Sequence, residues 1–210
     1  MPDYLIQRAA RKTDIPVTPL TVESYPKWLK SRSRREQNLL TTRCFTAEPG
    51  KYSLLTDEKG NLSRVLIGVT GKDDIWSWAV LPAKLSDKHH YTIDTSAVKV
   101  NLADAVFGWL LACYRFTAYN TKEAKFPTLA LPAKADVALS REMAKSVFLV
   151  RDLINAPTND MGPSELAAEV KKIARQYKAR CSEIVGEDLL KKNYPTIHAV
   201  GRACDDAPRL

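Results

Sequence analysis

Residues 150–163 read VRDLINAPTNDMGP and separate two differently patterned parts of the chain. The stretch begins as the end of an apolar-faced helix. It breaks before Pro157, because a proline ring disfavours α geometry at the preceding residue and removes an amide donor. Gly162 and Pro163 then predict a new helix, with Pro163 at its first position and Glu165 in its first turn. The stretch is therefore predicted to connect two folded parts.

The residues before this stretch carry the signals of a mixed sheet with flanking helices. Loosely alternating apolar residues at 15–22 predict a first strand, which Pro16 and Pro19 restrict to a sheet edge or a strand end. Strands at 51–55 and 62–69 flank the turn DEKGN and predict a β-hairpin. The other elements predicted here are helices at 25–42, 101–117 and 137–154, strands at 90–94 and 128–131, and a short helix or strand at 73–81.

The residues after the stretch predict alternating helices and strands. Apolar residues at helical spacing from Leu166 to Tyr177 indicate an amphipathic helix. CSEIVG at 181–186 and TIHAVGRA at 196–203 predict strands, with a short helix in EDLLKKN between them. Both faces of a parallel sheet need cover, so this part is expected to be the beginning of a larger α/β domain.

The predicted fold class is thus α/β, in three parts. An N-terminal domain with a mixed sheet and flanking helices occupies residues 1–150. A helical connector at 151–162 leads into an α/β domain at 163–210 that is expected to be incomplete. At 210 residues, the chain is long enough to bury a substantial core.

Composition narrows the class of protein. The chain is 45% hydrophobic and 27% charged, which excludes global disorder. Its N-terminal residues lack the apolar segment of a secretory signal, and the longest apolar run, 105–114, is too short to cross a bilayer. Four cysteines without a CxxC pair predict reduced thiols; they are Cys44, Cys113, Cys181 and Cys204. We therefore expect a soluble, cytoplasmic protein.

The net charge of +8 raises the question of an anionic partner. Basic residues concentrate at 27–35, as Lys27, Lys30, Arg32, Arg34 and Arg35. Without a recognisable nucleic-acid motif nearby, this basic cluster is interpreted as a solvated helix face. A nucleic-acid-binding module that uses the cluster remains an alternative.

Candidate chemical groups are few. Asp205 and Asp206 stand beside Cys204, but two adjacent carboxylates point in different directions and would make at best a weak cation site. His198 lies in a predicted strand and is interpreted as a structural histidine, while His89-His90 is interpreted as a surface loop. HExxH, GxSxG, GxGxxG and Walker sequences are absent from the chain. The residues alone assign no catalytic, metal-binding or cofactor-binding side chain.

Three segments together resemble a known family: RDLINAPTNDMGP at 151–163, GWLLACYRFTAYNTKE at 108–123 and HAVGRACDDAPRL at 198–210. They are similar to the leucine (cytosol) aminopeptidases, from the N-terminal domain to the start of the catalytic domain. The resemblance implies a hydrolase of the metalloprotease class, which removes N-terminal residues from peptides with two divalent metal ions, manganese or zinc. It also implies a cytoplasmic homo-oligomer, a hexamer in this family.

The same resemblance implies that this chain lacks the metal site. The family's metal-binding segments, of the types V-G-K-G…F-D-S-G-G and N-T-D-A-E-G-R-L, would follow Leu210. The 210 residues alone are therefore expected to bind no metal ion and to be inactive. A non-catalytic interaction or regulatory domain is a further alternative.

Overall fold

The computed structural model describes residues 4–120 and 125–210, so the end of the segment at 108–123 lies outside the described residues. The chain divides into two compact units, Met1–Phe148 and Leu149–Leu210. The strands are β1 (Leu5–Gln7), β2 (Ile15–Leu20), β3 (Tyr52–Thr56), β4 (Leu62–Gly68), β5 (His90–Ile93) and β6 (Thr128–Leu131). The helices are α1 (Ser24–Lys30), α2 (Arg34–Thr42), α3 (Leu102–Ala112), α4 (Ala138–Asn155), α5 (Pro163–Gln176), α6 (Asp188–Lys191) and α7 (Pro195–Gly201).

The strands of the first unit form one mixed sheet in the order β1-β6-β5-β2-β4-β3. Neighbouring strands are parallel except β3 and β4, which form the predicted antiparallel hairpin. Its turn contains Gly60 at a φ of 84°, a conformation that glycine adopts without steric cost. The α/β class and the mixed sheet are confirmed.

β2 is an interior strand, so of the two positions predicted for Pro16 and Pro19 the sheet edge was wrong, while each proline lies one residue from an end of β2. The ladder is staggered: residues 15–17 pair with β5, and residues 17–20 pair with β4. Each proline therefore has a paired strand on one side only. The amide N–H that proline lacks thus does not interrupt a stretch of β2 that is paired on both sides. Within these ladders, Val17 alone has register partners on both sides.

A polar bridge crosses the middle of the sheet over β2. Arg64 of β4 donates from Nη1 to the carboxylate of Asp94, which follows β5, at 2.6 Å. The same Nη1 donates to the hydroxyl of Thr18 on β2, a fully buried residue. The bridge therefore joins β4, β2 and β5 at the point where β2 changes from pairing with β5 to pairing with β4.

Alternating side chains of the sheet bury two apolar clusters, as the period of two in a strand requires. The larger cluster contains Val17, Val65 and Ile67 with the buried side of α3. The smaller cluster contains Leu20 and Leu66, which pack with side chains from α2 and the segment after it. Val65, Leu66 and Ile67 are all fully shielded, so the C-terminal half of β4 is buried on both faces.

α3 is the buried helix of the first unit. It ends at Ala112 and not at residue 117 as predicted, with Cys113 as its C-cap. Gly108 allows close contact with the segment before the 3-10 helix at Trp78–Val80, because a Cβ at this position would lie 2.0 Å from the carbonyl oxygen of Ile75. The predicted short helix or strand at 73–81 is thus a loop and a 3-10 turn held against α3.

The predicted helix at 25–42 is two helices, α1 and α2, separated at Ser31–Ser33. The Ser33 hydroxyl accepts a hydrogen bond from the Glu36 amide, and the Glu36 side chain accepts one from the Ser33 amide. This capping box starts a new helix, because it satisfies amides that an uninterrupted helix would have used internally. Sequence periodicity alone did not reveal the break.

The second unit departs most from the sequence-based prediction. α5 begins at Pro163 with Glu165 in its first turn, as predicted. The predicted strand at 181–186 is reduced to one antiparallel bridge, between Val185 and Arg209. The predicted strand at 196–203 is wrong: α7 occupies Pro195–Gly201, with Pro195 at a position where proline favours helix initiation. The described residues of this unit therefore contain no βαβ motif.

Candidate functional site

The acidic residues considered from the sequence are distributed over the second unit. Asp160 lies in the turn after Pro157, and its amide donates to the Pro157 carbonyl at 2.9 Å. Asp188 opens α6 and accepts a hydrogen bond from Lys191 at 2.7 Å. Asp205 is exposed. The fourth acid, Asp206, forms hydrogen bonds with two other residues.

Asp206 is bound through both carboxylate oxygens. Its Oδ2 accepts from the amide of Ser164, in the first turn of α5, at 2.6 Å. Its Oδ1 accepts from Nη2 of Arg209 at 2.8 Å. The Arg209 hydrogen bond, followed by that from Ser164, lowers the pKa of Asp206 to about 2. The carboxylate therefore joins the end of the chain to the N-terminus of α5, where a negative charge is favoured.

Arg209 extends this network to a second acid. Its Nη1 donates to Oε1 of Glu183 at 3.2 Å, and the other oxygen of Glu183 accepts from Lys171 of α5. Lys171 is the first cause, and Arg209 the second, of the lowered pKa of Glu183. We call Asp206, Arg209, Glu183 and Lys171 the Arg209 network. Sequence reasoning missed it, because Glu183 is 12 residues from Lys171 and 26 residues from Arg209 along the chain.

Three members of the Arg209 network, Lys171, Glu183 and Arg209, line an apolar groove. The groove has a volume of about 480 Å³. Leu166, Ala167 and Val170 of α5 line one side, and Leu210 with the segment at 181–183 lines the other. The arrangement can accept an apolar chain segment.

The first unit contains a second cleft, of about 540 Å³, beside the 3-10 helix. Asp74 is nearly buried there and accepts from the amides of Thr70 at 2.7 Å and Ser77 at 3.0 Å. Burial opposes ionisation of Asp74, but the hydrogen bonds from Ser77 and Thr70 outweigh it and lower the pKa. The Asp74 carboxylate thus fixes the loop between Thr70 and Ser77. Trp76, which also lines the cleft, is 72% exposed.

The histidines and cysteines do not converge on a site. His198 lies on α7, and its Nε2 is 3.1 Å from Glu187. His89 and His90 are exposed at the start of β5. The four cysteines, all within the described part of the chain, are free. Burial raises the pKa of the Cys113 thiol to about 12, which keeps it protonated and unreactive.

The basic cluster at 27–35 is on the surface of α1, α2 and the turn between them. Arg32 stacks over the ring of Trp28, with 4.9 Å between the guanidinium carbon and the ring centroid. Arg35 donates to the carbonyl of Asp57. These contacts are local and agree with the interpretation as a solvated helix face.

Within residues 4–120 and 125–210, no three His, Cys, Asp or Glu side chains are grouped so that they could hold a metal ion. The donor set of these residues does not fit a two-metal centre. The same residues include no helix long and apolar enough to span a membrane.

Comparison with known proteins places these features in a family. Residues 15–132, more than half of the chain, match the model of the M17 aminopeptidase N-terminal domain, and residues 148–210 match that of the cytosol aminopeptidase catalytic domain. The chain belongs to the M17 cytosol aminopeptidase family. The resemblance seen in the sequence is thereby confirmed.

The match to this chain covers only part of each M17 relative. A probable cytosol aminopeptidase of Agrobacterium fabrum is 36% identical over 129 residues, which are 52% of this chain and 25% of that protein. The crystal structure of the cytosol aminopeptidase of Coxiella burnetii is 29% identical, with a TM-score of 0.84 over 98% of this chain and 45% of its own. The chain thus spans less than half the length of these M17 proteins.

A more distant structure shares the M17 fold. The bottromycin maturation enzyme BotP, solved in complex with Mn, is 20% identical, with a TM-score of 0.67 over 94% of this chain and 44% of its own. At this identity the likeness concerns the fold alone. Both the N-terminal sheet and the second unit are therefore features of the M17 architecture.

Proposed function

We propose that this chain is the N-terminal part of a metal-dependent aminopeptidase that removes N-terminal residues from peptides. The observation that carries the proposal is the order of the two family matches, the N-terminal domain at 15–132 and the catalytic domain at 148–210. A peptide substrate follows from that assignment. The basic cluster does not favour nucleic acid as an alternative, because its contacts are local.

The metal centre is proposed to lie in polypeptide outside these 210 residues. Two divalent cations, Mn²⁺ or Zn²⁺, would activate water and hold the free amine of the peptide. The Mn complex of BotP supports a metal cofactor for this architecture. Residues 1–210 would contribute no catalytic or metal-binding side chain.

The domain arrangement is proposed in the same way. Residues 1–150 would form the N-terminal domain, 151–162 the connector, and 163–210 the first part of the peptidase domain. The whole enzyme is proposed to be a cytoplasmic homo-oligomer, a hexamer. The names of the cytosol aminopeptidase relatives support the location.

An activity assay on two lengths of the protein tests this proposal. The 210-residue chain should not hydrolyse leucyl-p-nitroanilide with Mn²⁺ or Zn²⁺ added, because two clustered metal ions need about five converging ligands. The chain continued through its native reading frame should hydrolyse it, and a chelator should abolish that activity. Chelator-sensitive turnover by the 210-residue chain, or an inactive longer protein with metal present, would contradict the assignment.

A further inference from the structure

The cleft beside the 3-10 helix of the first unit has an acidic lining, although the chain is basic. Its walls include Asp73, Asp74 and Asp104, and none of the described residues that line it is basic. Lys51 and Lys72 are next to lining residues in the sequence, but they are exposed and do not line the cleft. Since the whole chain has a net charge of +8, the cleft is a local acidic region that favours a cationic ligand.

Trp76 gives this cleft an aromatic surface, and we call it the Trp76 cleft. A cation over the face of a tryptophan ring is attracted by the ring's quadrupole, and arginine makes this contact more often than lysine. The chain contains one such contact elsewhere, because Arg32 lies over the ring of Trp28. Among the described residues, no cation stacks on Trp76. Its 72% exposed side chain is therefore available to a cation from outside the chain.

The loop at 70–77, which carries Trp76, is fixed by hydrogen bonds of its own. Asp74 accepts from the backbone amides at both ends of the loop. The carbonyl of Lys72 accepts from the amide of Asn101, the N-cap of α3, at 3.0 Å. Because these contacts hold the backbone in place, binding would require little ordering of the loop.

Two carboxylates of the Trp76 cleft remain available to a ligand. Asp73 is exposed, and its side chain makes no hydrogen bond or ion pair within the described residues. Asp104 accepts from the side-chain amide of Asn101 through Oδ2, at 3.0 Å, and no described residue donates to its Oδ1. The planar guanidinium of arginine can donate two parallel hydrogen bonds to a carboxylate, whereas the ammonium of lysine is a point charge.

The position of the Trp76 cleft in the sheet is typical of a ligand site. Thr70 follows the carboxyl end of β4, which runs parallel to β2, and Asp104 is in the first turn of α3. In open α/β sheets, ligands bind in the crevice outside the carboxyl ends of the strands. The volume of about 540 Å³ is within the range of about 300–1,000 Å³ that ligand-binding clefts occupy.

We propose that the Trp76 cleft binds an arginine side chain presented by a segment of another protein. The guanidinium plane would stack on Trp76 and donate hydrogen bonds to the carboxylates of Asp73 and Asp104. Another protein is assigned, and not a second copy, because two chains with a net charge of +8 repel each other. Tryptophan and arginine are also enriched among the residues that dominate binding between proteins. The proposal concerns the first unit and does not depend on the proposed peptidase activity.

Titration with short peptides tests the ligand. The peptide Gly-Ser-Arg-Ser-Gly, acetylated and amidated at its ends, should shift the indole N–H signal of Trp76 in NMR spectra, with a Kd of about 1 mM or tighter. The signal is assigned by its loss in Trp76→Leu. The same peptide with neutral citrulline in place of arginine should bind at least about 5-fold more weakly. Equal binding of the two peptides, or no shift at about 10 mM arginine peptide, would overturn the proposal.

Matched variants test the residues of the cleft by calorimetric titration with the arginine peptide. Trp76→Leu should weaken binding at least about 3-fold, and Asp73→Asn about 2-fold or more. Both residues are exposed, so both variants should keep the Tm of the wild type. Glu58→Gln removes one negative charge from the hairpin turn, at the opposite end of β4, and should leave the Kd unchanged. Equal effects of Asp73→Asn and Glu58→Gln would refute a specific contact.

Two further measurements separate the proposed partner from other occupants. Free arginine that binds as tightly as the peptide would indicate a small-molecule site and overturn the assignment to a protein segment. The 210-residue chain should sediment as a monomer of 23.5 kDa at low salt. A dimer that Trp76→Leu dissociates would assign the cleft to a second copy and also overturn the proposal.

Discussion

Arg8 holds the carboxylate of Asp14 with two hydrogen bonds, Nη1 to Oδ2 and Nη2 to Oδ1, each 2.7 Å long. The Asp14 side chain is completely shielded from solvent, and the amide of Arg11 donates to it as well. The Arg8 hydrogen bonds, followed by that from Arg11, outweigh the opposing effect of burial and lower the pKa of Asp14 to about 2. The pair fixes the segment between β1 and β2.

Replacing this carboxylate should make the first unit less stable in a pH-dependent way. A group whose pKa is lowered on folding stabilises the fold above its ordinary pKa of 3.8 and loses that contribution as pH falls through about 2. Asp14→Asn should therefore lower the free energy of unfolding at pH 7 by about 1–3 kcal/mol. The difference from wild type, measured by urea unfolding, should shrink between pH 4 and 2.

The exposed Glu58 provides a control for this experiment, because the structure records no hydrogen bond to its side chain within the described residues. Glu58→Gln should leave the unfolding free energy at pH 7 within about 0.5 kcal/mol of wild type. An Asp14→Asn effect that stays constant from pH 7 to pH 2 would show that its cause is not ionisation.

Gly108→Ala should destabilise the protein, although alanine is normally the better helix former. The added Cβ would lie 2.0 Å from the Ile75 carbonyl oxygen, so α3 or the loop must move. We expect a loss of about 1–3 kcal/mol in thermal or urea unfolding. Ala112→Gly in the same helix is the control and should cost about 1 kcal/mol through helix propensity. Stabilisation by Gly108→Ala would contradict the close contact.

The Arg64–Asp94 bridge should show energetic coupling. The two side chains are 24% and 26% exposed, so solvent screens the pair only in part. A double-mutant cycle with Arg64→Met and Asp94→Asn should give a coupling free energy of about 1 kcal/mol, smaller in high salt. Additive effects of the two substitutions would mean that the bridge contributes no stability of its own.

Limited proteolysis should cut the 210-residue chain first between Asn155 and Gly162, or beyond. α4 ends at Asn155, and the residues before α5 form a turn. The residues after it bury few side chains, so their local opening should require little free energy. Mass spectrometry should find a stable fragment that ends near residue 150. Uniform resistance through Leu210 would contradict this.

Much of the first unit was predictable from local pattern. The hairpin follows from alternating residues around a turn that contains Gly60, and α3 follows from an apolar stripe at helical spacing. The break between α1 and α2 was missed, because it depends on reciprocal bonds between Ser33 and Glu36 and not on hydrophobic period. The interior position of β2 was missed because its staggered pairing is set by neighbouring strands.

The errors in the second unit have another cause. Short apolar runs fit a strand or a helix equally well, and TIHAVGRA was assigned from such a run. Pro195, directly before this run, favours the start of a helix, and the structure contains α7 at this position. The Arg209 network was beyond sequence reasoning, since it requires contacts between distant positions. The family resemblance was recognisable because it rests on a longer run of residue identities.

The staggered pairing at Val17 has a consequence for cooperativity. The backbone ladder of the sheet passes from the hairpin half to the half formed by β5, β6 and β1 through a single residue. Beside this residue, the Arg64–Asp94 bridge joins strands on either side of β2, and the larger apolar cluster contains side chains from both halves. Side-chain packing, and not the backbone ladder, therefore supplies most of the coupling between the two halves, so the sheet should unfold as one cooperative unit.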